Sequence, residues 1–418
     1  MITVKPFMAL RPTKELASEC AALPYDVMSS AEAREMVVGK PYSFLRIDRA
    51  EINLEKGVDI YSEIVYSTAR DTLNKMESDG VYVNDSERKY YFYRQIMNGR
   101  AQTGIVGCAS IDDYLENRIK KHEFTRADKE IDRIKHVDTT SAHTGPIFLT
   151  YKDSSALDEI IASEEKNEPI YDFTAEDGVR HTVWRASSKE VDIAIEKEFK
   201  ALDALYIADG HHRCASAVKV GLKRREEKGS YDGTEEFNFF LSVIFPSKSL
   251  AILDYNRLLK DLNGYTSEEF LKVVEKNVGK IEKCDGTEPF RPESKHTVGI
   301  YLDKTWYKLT FRDEICNAEK AVDRLDCAIL QKHLLSAILG IDDPRTDKRI
   351  DFAGGIRGLK YLEQRCEQDM VMAISMHPTS LDELMSVADS GDVMPPKSTW
   401  FEPKLRSGLL IQIGRAHV

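Results

Sequence analysis

Tryptophan is scarce, with 3 in 418 residues, and no uninterrupted apolar run approaches the roughly 18 residues that a membrane-spanning helix needs. No two cysteines form a CxxC pair. The seven stand at 20, 108, 214, 284, 316, 327 and 366, an odd number at wide spacing. That excludes a zinc ribbon and argues against a disulfide framework, so a reducing cytoplasm is the expected setting. The opening MITVKPFMALRPTKE lacks the apolar core of a signal peptide. With 14 prolines and 23 glycines spread without low complexity, nothing reads as a disordered linker, and no internal repeat is present. Positive charge is also in deficit. Lys and Arg total 59 against 70 Asp and Glu, a net −11 that argues against nucleic acid as a partner while leaving room for one basic pocket.

What is present is globular: 42% hydrophobic and 31% charged residues, in a chain long enough for two domains or one elaborate one. The pattern predicts irregular structure before residue 24, a helix over 29–38, a strand over 43–47 and a long amphipathic helix over 57–78. Asn98-Gly99 predicts a hairpin of 89–97 with 100–111, and Asp177-Gly178 a second one. Further helices are expected from 126 onwards and over 155–163, 188–200, 214–228, 267–276, 319–338, 358–364 and 380–388. Strands are expected at 146–151, 204–208, 237–245, 297–302, 306–311, 350–352 and 371–375. This is α+β with mixed sheets rather than regular βαβ alternation. The expected division is a core over 1–250 with a strand-rich insertion, and an α+β region over 251–418 that returns to the core through 394–409.

The sequence ALYIADGHHRCASAVKVG reads strand, tight turn, helix. Gly210 permits a backbone shape that a side chain obstructs. The first-turn amides of the helix and its dipole attract an anion, and His211, His212 and Arg213 add donors at the same place. Asp209 needs a cation between itself and a phosphate, which makes it the candidate Mg²⁺ ligand. The plainer alternative is Asp209 as a helix cap with surface histidines. Zinc is disfavoured, because adjacent helical histidines point about 100° apart.

Upstream, IKKHEFTR at 119–126 places Glu123 among Lys120, Lys121 and Arg126. As a site, Glu123 with His122 supplies a base for a hydroxyl, while Lys121 and Arg126 neutralise phosphoryl oxygens. As a plain segment it is a solvated charge run, and Glu130 with Arg133 a surface pair worth little. Pro395-Pro396-Lys397-Ser398-Thr399 and Asp351 with Gly354-Gly355 either line the same pocket or are ordinary turns.

The chain resembles the bacterial and archaeal family DUF1015, named for its unknown function. The likeness runs through Pro24-Tyr25-Asp26-Val27, RAQTGIVGCASIDDY at 100–114 and KKHEFTRADKEIDR at 120–133. It continues through GVRHTVWR at 178–185, LYIADGHHRCASA at 205–217 and MPPKSTWFEPKLRSGL at 394–409. The loop Asp209-Gly210-His211-His212-Arg213 also resembles that of the ParB/sulfiredoxin superfamily, where such a turn binds nucleotide phosphates. Within it, free serine kinases carry Pro-His-Glu-Glu upstream of the loop, with the first glutamate as base. Here His122-Glu123 matches, Lys121 replaces the proline, Phe124 replaces the second glutamate, and the two segments lie farther apart. The resemblance implies a ParB/sulfiredoxin-like nucleotide-binding core and a kinase that uses ATP or ADP with Mg²⁺. It implies a small hydroxyl-bearing acceptor such as L-serine, with Glu123 as base. The competing readings are a ParB-like nucleotide switch without transfer, and a histidine-based hydrolase that needs no nucleotide. A homodimer stays open.

Overall fold

The computed structural model describes residues 1–414 apart from positions 126 and 287, and all side chains among them except that of residue 128. The chain is α+β with mixed sheets. Its contacts divide it into two units: residues 1–121, 125–250 and 403–418 form the first, and residues 122–124 and 251–402 the second.

The first unit is built on a large mixed sheet. Its strands, in chain order, are β1 (Val4–Lys5), β2 (Tyr91–Met97), β3 (Arg100–Ser110), β4 (Ile119–Lys120), β5 (Ile147–Tyr151), β6 (Tyr171–Thr174), β7 (Arg180–Arg185), β8 (Leu205–Asp209) and β9 (Phe239–Pro246). The spatial order is β4-β8-β5-β9-β3-β2-β7-β6, with β1 alongside β3. The hairpin of β2 and β3 follows from its turn. Asn98 and Gly99 both have positive φ (52° and 78°), the shape that matches strand twist, and Met97 pairs with Arg100. β9 runs parallel to β5 and antiparallel to β3, which puts a strand buried on both faces at the sheet's centre.

Three helices of this unit matter below: α1 (Glu63–Ser78), α2 (Ala127–Thr140) and α3 (His211–Lys228). α3 buries a stripe of small residues, Ala215, Ser216, Ala217 and Gly221, so its backbone can approach its neighbours closely. Ser216 Oγ lies 3.1 Å from the carbonyl of Glu130, tying α3 to α2. α3 stops at Gly229 (φ 73°), with Arg225 and Lys228 in the last turn, where cations suit the dipole. A second apolar cluster, from Phe44, Leu45 and Ile47 to Leu73 and Tyr82, packs inside α1. A small sheet of 9–12, 82–84, 142–143 and 411–413 accompanies it.

The second unit has a six-stranded antiparallel sheet of β10 (Tyr255–Leu259), β11 (Gly279–Lys283), β12 (Thr297–Leu302), β13 (Thr305–Phe311), β14 (Ile350–Gly354) and β15 (Met372–Ser375). The order is β11-β13-β12-β15-β10-β14. Helix α4 (Leu359–Gln368) packs its Leu359 and Leu362 on Leu258, Ala353 and Ala373, and α5 (Leu381–Ser390) opens with a capping box from Ser380 and Glu383.

Several expectations from sequence need correction. The strand expected at 43–47 is a helical turn, Leu45–Asp48, because short apolar runs fit either period and packing decides. The opening is not irregular: Val4–Lys5 and Ala9–Pro12 are strands. The helix expected from 57 starts at Glu63, which leaves Ile60 and Tyr61 in a loop. The helix expected over 319–338 breaks into a 3₁₀ turn, a five-residue α-helix Asp326–Leu330 and a π-turn Gln331–Ser336. Among the described residues no helix is long and apolar enough to cross a membrane.

Candidate functional site

The glycine–histidine loop has the shape its sequence asks for. β8 ends at Asp209, Gly210 takes φ 90° and ψ 32°, and α3 begins at His211. That left-handed step lets the helix begin with one residue between it and the strand's end. The Cys214 amide makes an early helical bond, to the Gly210 carbonyl at 2.9 Å. In an α-helix the amides ahead of that bond have no intrahelical acceptor.

The side chains around the turn are arranged differently from the simple reading. The Gly210 amide donates to Asp209 Oδ1 at 2.8 Å, so it serves the loop's own carboxylate. Asp209 Oδ2 accepts from the Lys404 ammonium at 3.0 Å. The positive charges of Lys404 and Arg213 and the Gly210 amide outweigh burial and hold the Asp209 carboxyl well below its usual range. Arg213 folds back over the glycine. A Cβ on Gly210 would sit 3.1 Å from its Nε and Nη2, and its Nη1 donates to the carbonyl of Pro146 at 2.6 Å. Arg213 Nε is buried and has no hydrogen-bond partner among the described residues. The result is one carboxylate held between two cations at the mouth of a helix. His211 is buried and His212 partly so, with the carbonyl of His212 accepting from Ser216 Oγ at 2.7 Å.

The other sequence candidates fall elsewhere. Lys121 is exposed, with its ammonium 5.0 Å above the Tyr114 ring, and its charge is felt at the Cys214 thiol in the first turn of α3. Arg126 lies outside the described residues. His122 and Glu123 belong to the second unit. There His122 is buried, its carbonyl accepts from the Met394 amide at 2.9 Å, and its Nε2 is 3.5 Å from Thr399 Oγ1; Glu123 is partly exposed. In the segment Pro395–Thr399 the Ser398 hydroxyl lies 2.6 Å from the Pro395 carbonyl and 3.1 Å from Cys327 Sγ, as in a closed proline turn. Trp400 covers Gly354, where a Cβ would meet its ring at 2.7 Å, so that glycine serves packing. Glu130 and Arg133 are not a surface pair. Both are buried, Glu130 pairs with Lys219, and Arg133 pairs with Asp132 at 2.8 Å. Among the described residues no three His, Cys, Asp or Glu side chains converge as a metal site.

Sequence reasoning missed two things. One is Lys404, inside the closing string but 195 residues from its partner. The other is a polar cavity of about 180 Å³ in the first unit, lined by Tyr25, Asp48, Arg49, Asp132, Arg133 and His136 among others. A smaller space shares Tyr25, Asp48, Arg133 and His136 and reaches Arg213 and Ser407. Tyr25 comes from the Pro24-Tyr25-Asp26-Val27 string, Arg133 from KEIDR and Arg213 from the glycine loop, so three separated strings meet here.

The model of a family described as a protein of unknown function, DUF1015, matches residues 4–328. This chain belongs to the DUF1015 family. The strings that lead to the cavity and the loop fall inside the match, and Lys404 lies beyond it. No curated protein matches this DUF1015 chain. Solved structures similar to it include SbnI with a C-terminal truncation from Staphylococcus aureus, 10% identical, TM-score 0.40, covering 74% of this chain and 87% of that one. A free serine kinase in complex with AMP is 13% identical, with TM-score 0.37 and coverage of 72% and 90%. A conserved hypothetical protein from Pyrococcus furiosus is 13% identical, with TM-score 0.36 and coverage of 73% and 94%.

Proposed function

We propose that this DUF1015 protein is a nucleotide-dependent phosphotransferase. It would move a phosphoryl group from ATP or ADP to the hydroxyl of a small metabolite, with free L-serine as the leading acceptor. The observation that carries the reading is the Gly210 turn, where Arg213 and Lys404 flank Asp209 at the start of an 18-residue helix. Two cations, a helix dipole and first-turn amides at one point are what a terminal phosphate needs.

In this proposal Arg213, Lys404, His211, His212 and the first-turn amides hold the terminal phosphates, aided by Lys121 and Arg126. Asp209 keeps the Lys404 ammonium in position. Glu123, with His122 beside it, takes the proton of the acceptor hydroxyl, a role that rests on the sequence match alone. The acceptor oxygen then bonds to phosphorus, the bridging P–O bond breaks, and ADP or AMP leaves. Positive charge at the transferring oxygens would stabilise the transition state. Mg²⁺ would neutralise the nucleotide phosphates. A direct bond to Asp209 would bring the ion beside the Lys404 ammonium, on a carboxylate whose oxygens already accept from Lys404 and the Gly210 amide.

The test is product formation. Purified protein, ATP or ADP with Mg²⁺, and a panel of amino acids and sugars should yield O-phosphoserine by mass spectrometry. Glu123→Gln should abolish it while leaving the circular dichroism spectrum unchanged. Absence of any phosphorylated acceptor with either nucleotide would end the kinase reading. Nucleotide binding without transfer would instead make the protein a ParB-like switch.

A further inference from the structure

Helix α2 inverts the usual amphipathic rule. It buries Glu130, Asp132, Arg133 and His136 and leaves Ile131 56% exposed. Buried charge is costly unless it is paired or used, so a helix that turns this face inward needs a reason. Part of the reason is pairing within the first unit. Asp132 accepts from Tyr66 Oη at 3.0 Å and from Arg133 Nε at 2.9 Å. The Arg133 guanidinium stacks on the Tyr25 ring at 3.9 Å. Arg49 gives two of its nitrogens to the Tyr25 carbonyl and Ser30 Oγ, at 3.1 and 2.7 Å, and its Nε is ion-paired with Glu51 at 3.0 Å without a hydrogen bond among the described residues.

Pairing leaves a remainder, and the remainder faces the cavity. Asp48 is 4% exposed, and one of its oxygens accepts from Thr144 Oγ1 at 2.7 Å. Its other oxygen accepts nothing among the described residues. Arg133 sends two of its three nitrogens to Asp132, which leaves Nη1. The Tyr25 hydroxyl has no partner among the described residues, and burial keeps it protonated. His136 Nε2 lies 3.1 Å from the Ile47 carbonyl, which makes it the donor and leaves Nδ1 as an acceptor; burial and Arg133 keep the ring neutral. The cavity therefore offers an unspent carboxylate oxygen and imidazole nitrogen together with an unspent guanidinium nitrogen and phenol. At about 180 Å³ it is smaller than the clefts that take drug-sized ligands, which begin at roughly 300 Å³.

We infer that this cavity is the binding site of a small zwitterion, a free amino acid whose ammonium goes to Asp48 and whose carboxylate goes to Arg133 against Tyr25. The inference deepens the proposed function and rests on it for one point, that the ligand is the phosphoryl acceptor. The smaller space shares the lining of Tyr25, Asp48 and Arg133 and extends it to Arg213, so residues of the cavity and of the phosphate-holding turn border one another. Binding itself stands on the cavity alone.

The experiment is calorimetry on the full chain without nucleotide, using L-serine and other small amino acids. N-acetyl-L-serine, which lacks the ammonium, and L-serinamide, which lacks the carboxylate, serve as blocked analogues. The free amino acid should bind, and either blocked analogue should bind at least tenfold more weakly. Asp48→Asn, which keeps the size and the Thr144 contact, should weaken L-serine by a similar factor. Modifying the ligand leaves the fold intact, so the test survives a variant that fails to fold. Absence of binding by every free amino acid at about 10 mM, or equal binding of the blocked forms, overturns the assignment. The outcomes separate the two claims. Binding with no phosphorylated product keeps the pocket and removes the kinase. Phosphorylation of some other acceptor, without amino-acid binding, does the reverse.

Discussion

The ammonium of Lys404 stands 3.0 Å from Asp209 Oδ2 and joins two residues 195 positions apart in the chain. Lys404 is largely buried, and its own carbonyl accepts from Gln95 Nε2 at 2.9 Å, so the ion pair is anchored at both ends. Removing one member leaves the other poorly solvated. Lys404→Met should lower stability by about 2 kcal/mol in urea unfolding. It should also weaken ATP or ADP more than tenfold, because a phosphate then meets Asp209 without its counter-charge. A loss of stability with unchanged nucleotide affinity would make the pair purely structural.

Gly210→Ala tests the turn. The residue sits at φ 90°, and the added methyl would meet the Arg213 guanidinium at 3.1 Å. The backbone strain costs roughly 1 kcal/mol. Displacement of Arg213 should cut nucleotide binding further, read by calorimetry. Arg213→Lys keeps the charge but loses the fork, and should recover only part of the affinity.

Gly221→Ala gives a sign test for the helix packing. In an exposed helix interior this change stabilises by about 1 kcal/mol. Here the methyl would lie 2.5 Å from the Phe237 carbonyl oxygen and 2.8 Å from Ile111 Cδ1, so α3 must shift. The thermal midpoint should fall. A rise would show that this approach is looser than the structure describes.

Acid should destabilise the protein before its carboxylates titrate. Burial and the nearby Arg406 push His181 down to about 3, and burial with Arg224 pushes His143 to about 4. Both lie below the roughly 6.5 of an unfolded histidine. The unfolded chain therefore takes up protons that the native state refuses. Stability is fully present above pH ~6.5 and falls on acidification toward the folded values, by up to about 1.4 kcal/mol per pH unit per histidine. His181→Gln should flatten the slope of unfolding free energy between about pH 6.5 and 5. An unchanged slope would assign it to other groups.

Much of the local structure was legible because local chemistry fixed it. Asn98-Gly99 dictates a hairpin, Ser29 with Glu32 caps a helix, and Asp209-Gly210 turns a strand into a helix. The short run at 43–47 was not legible, since its apolar residues serve a helical turn as well as a strand. The buried charges of α2 misled for the opposite reason: Glu130, Asp132 and Arg133 look like a solvated face, and only burial reverses that.

The amino-acid sequence by itself determined family membership, the mixed α+β character and the loop at 209–213, because each depends on residues close together in the chain. Tertiary structure decided which charges meet. The partner of Asp209, the stacking of Arg133 on Tyr25 and the contact of Asp48 with Thr144 join residues 96 to 195 positions apart. Coulomb energy and desolvation depend on distance through space, and no spacing along the chain encodes that.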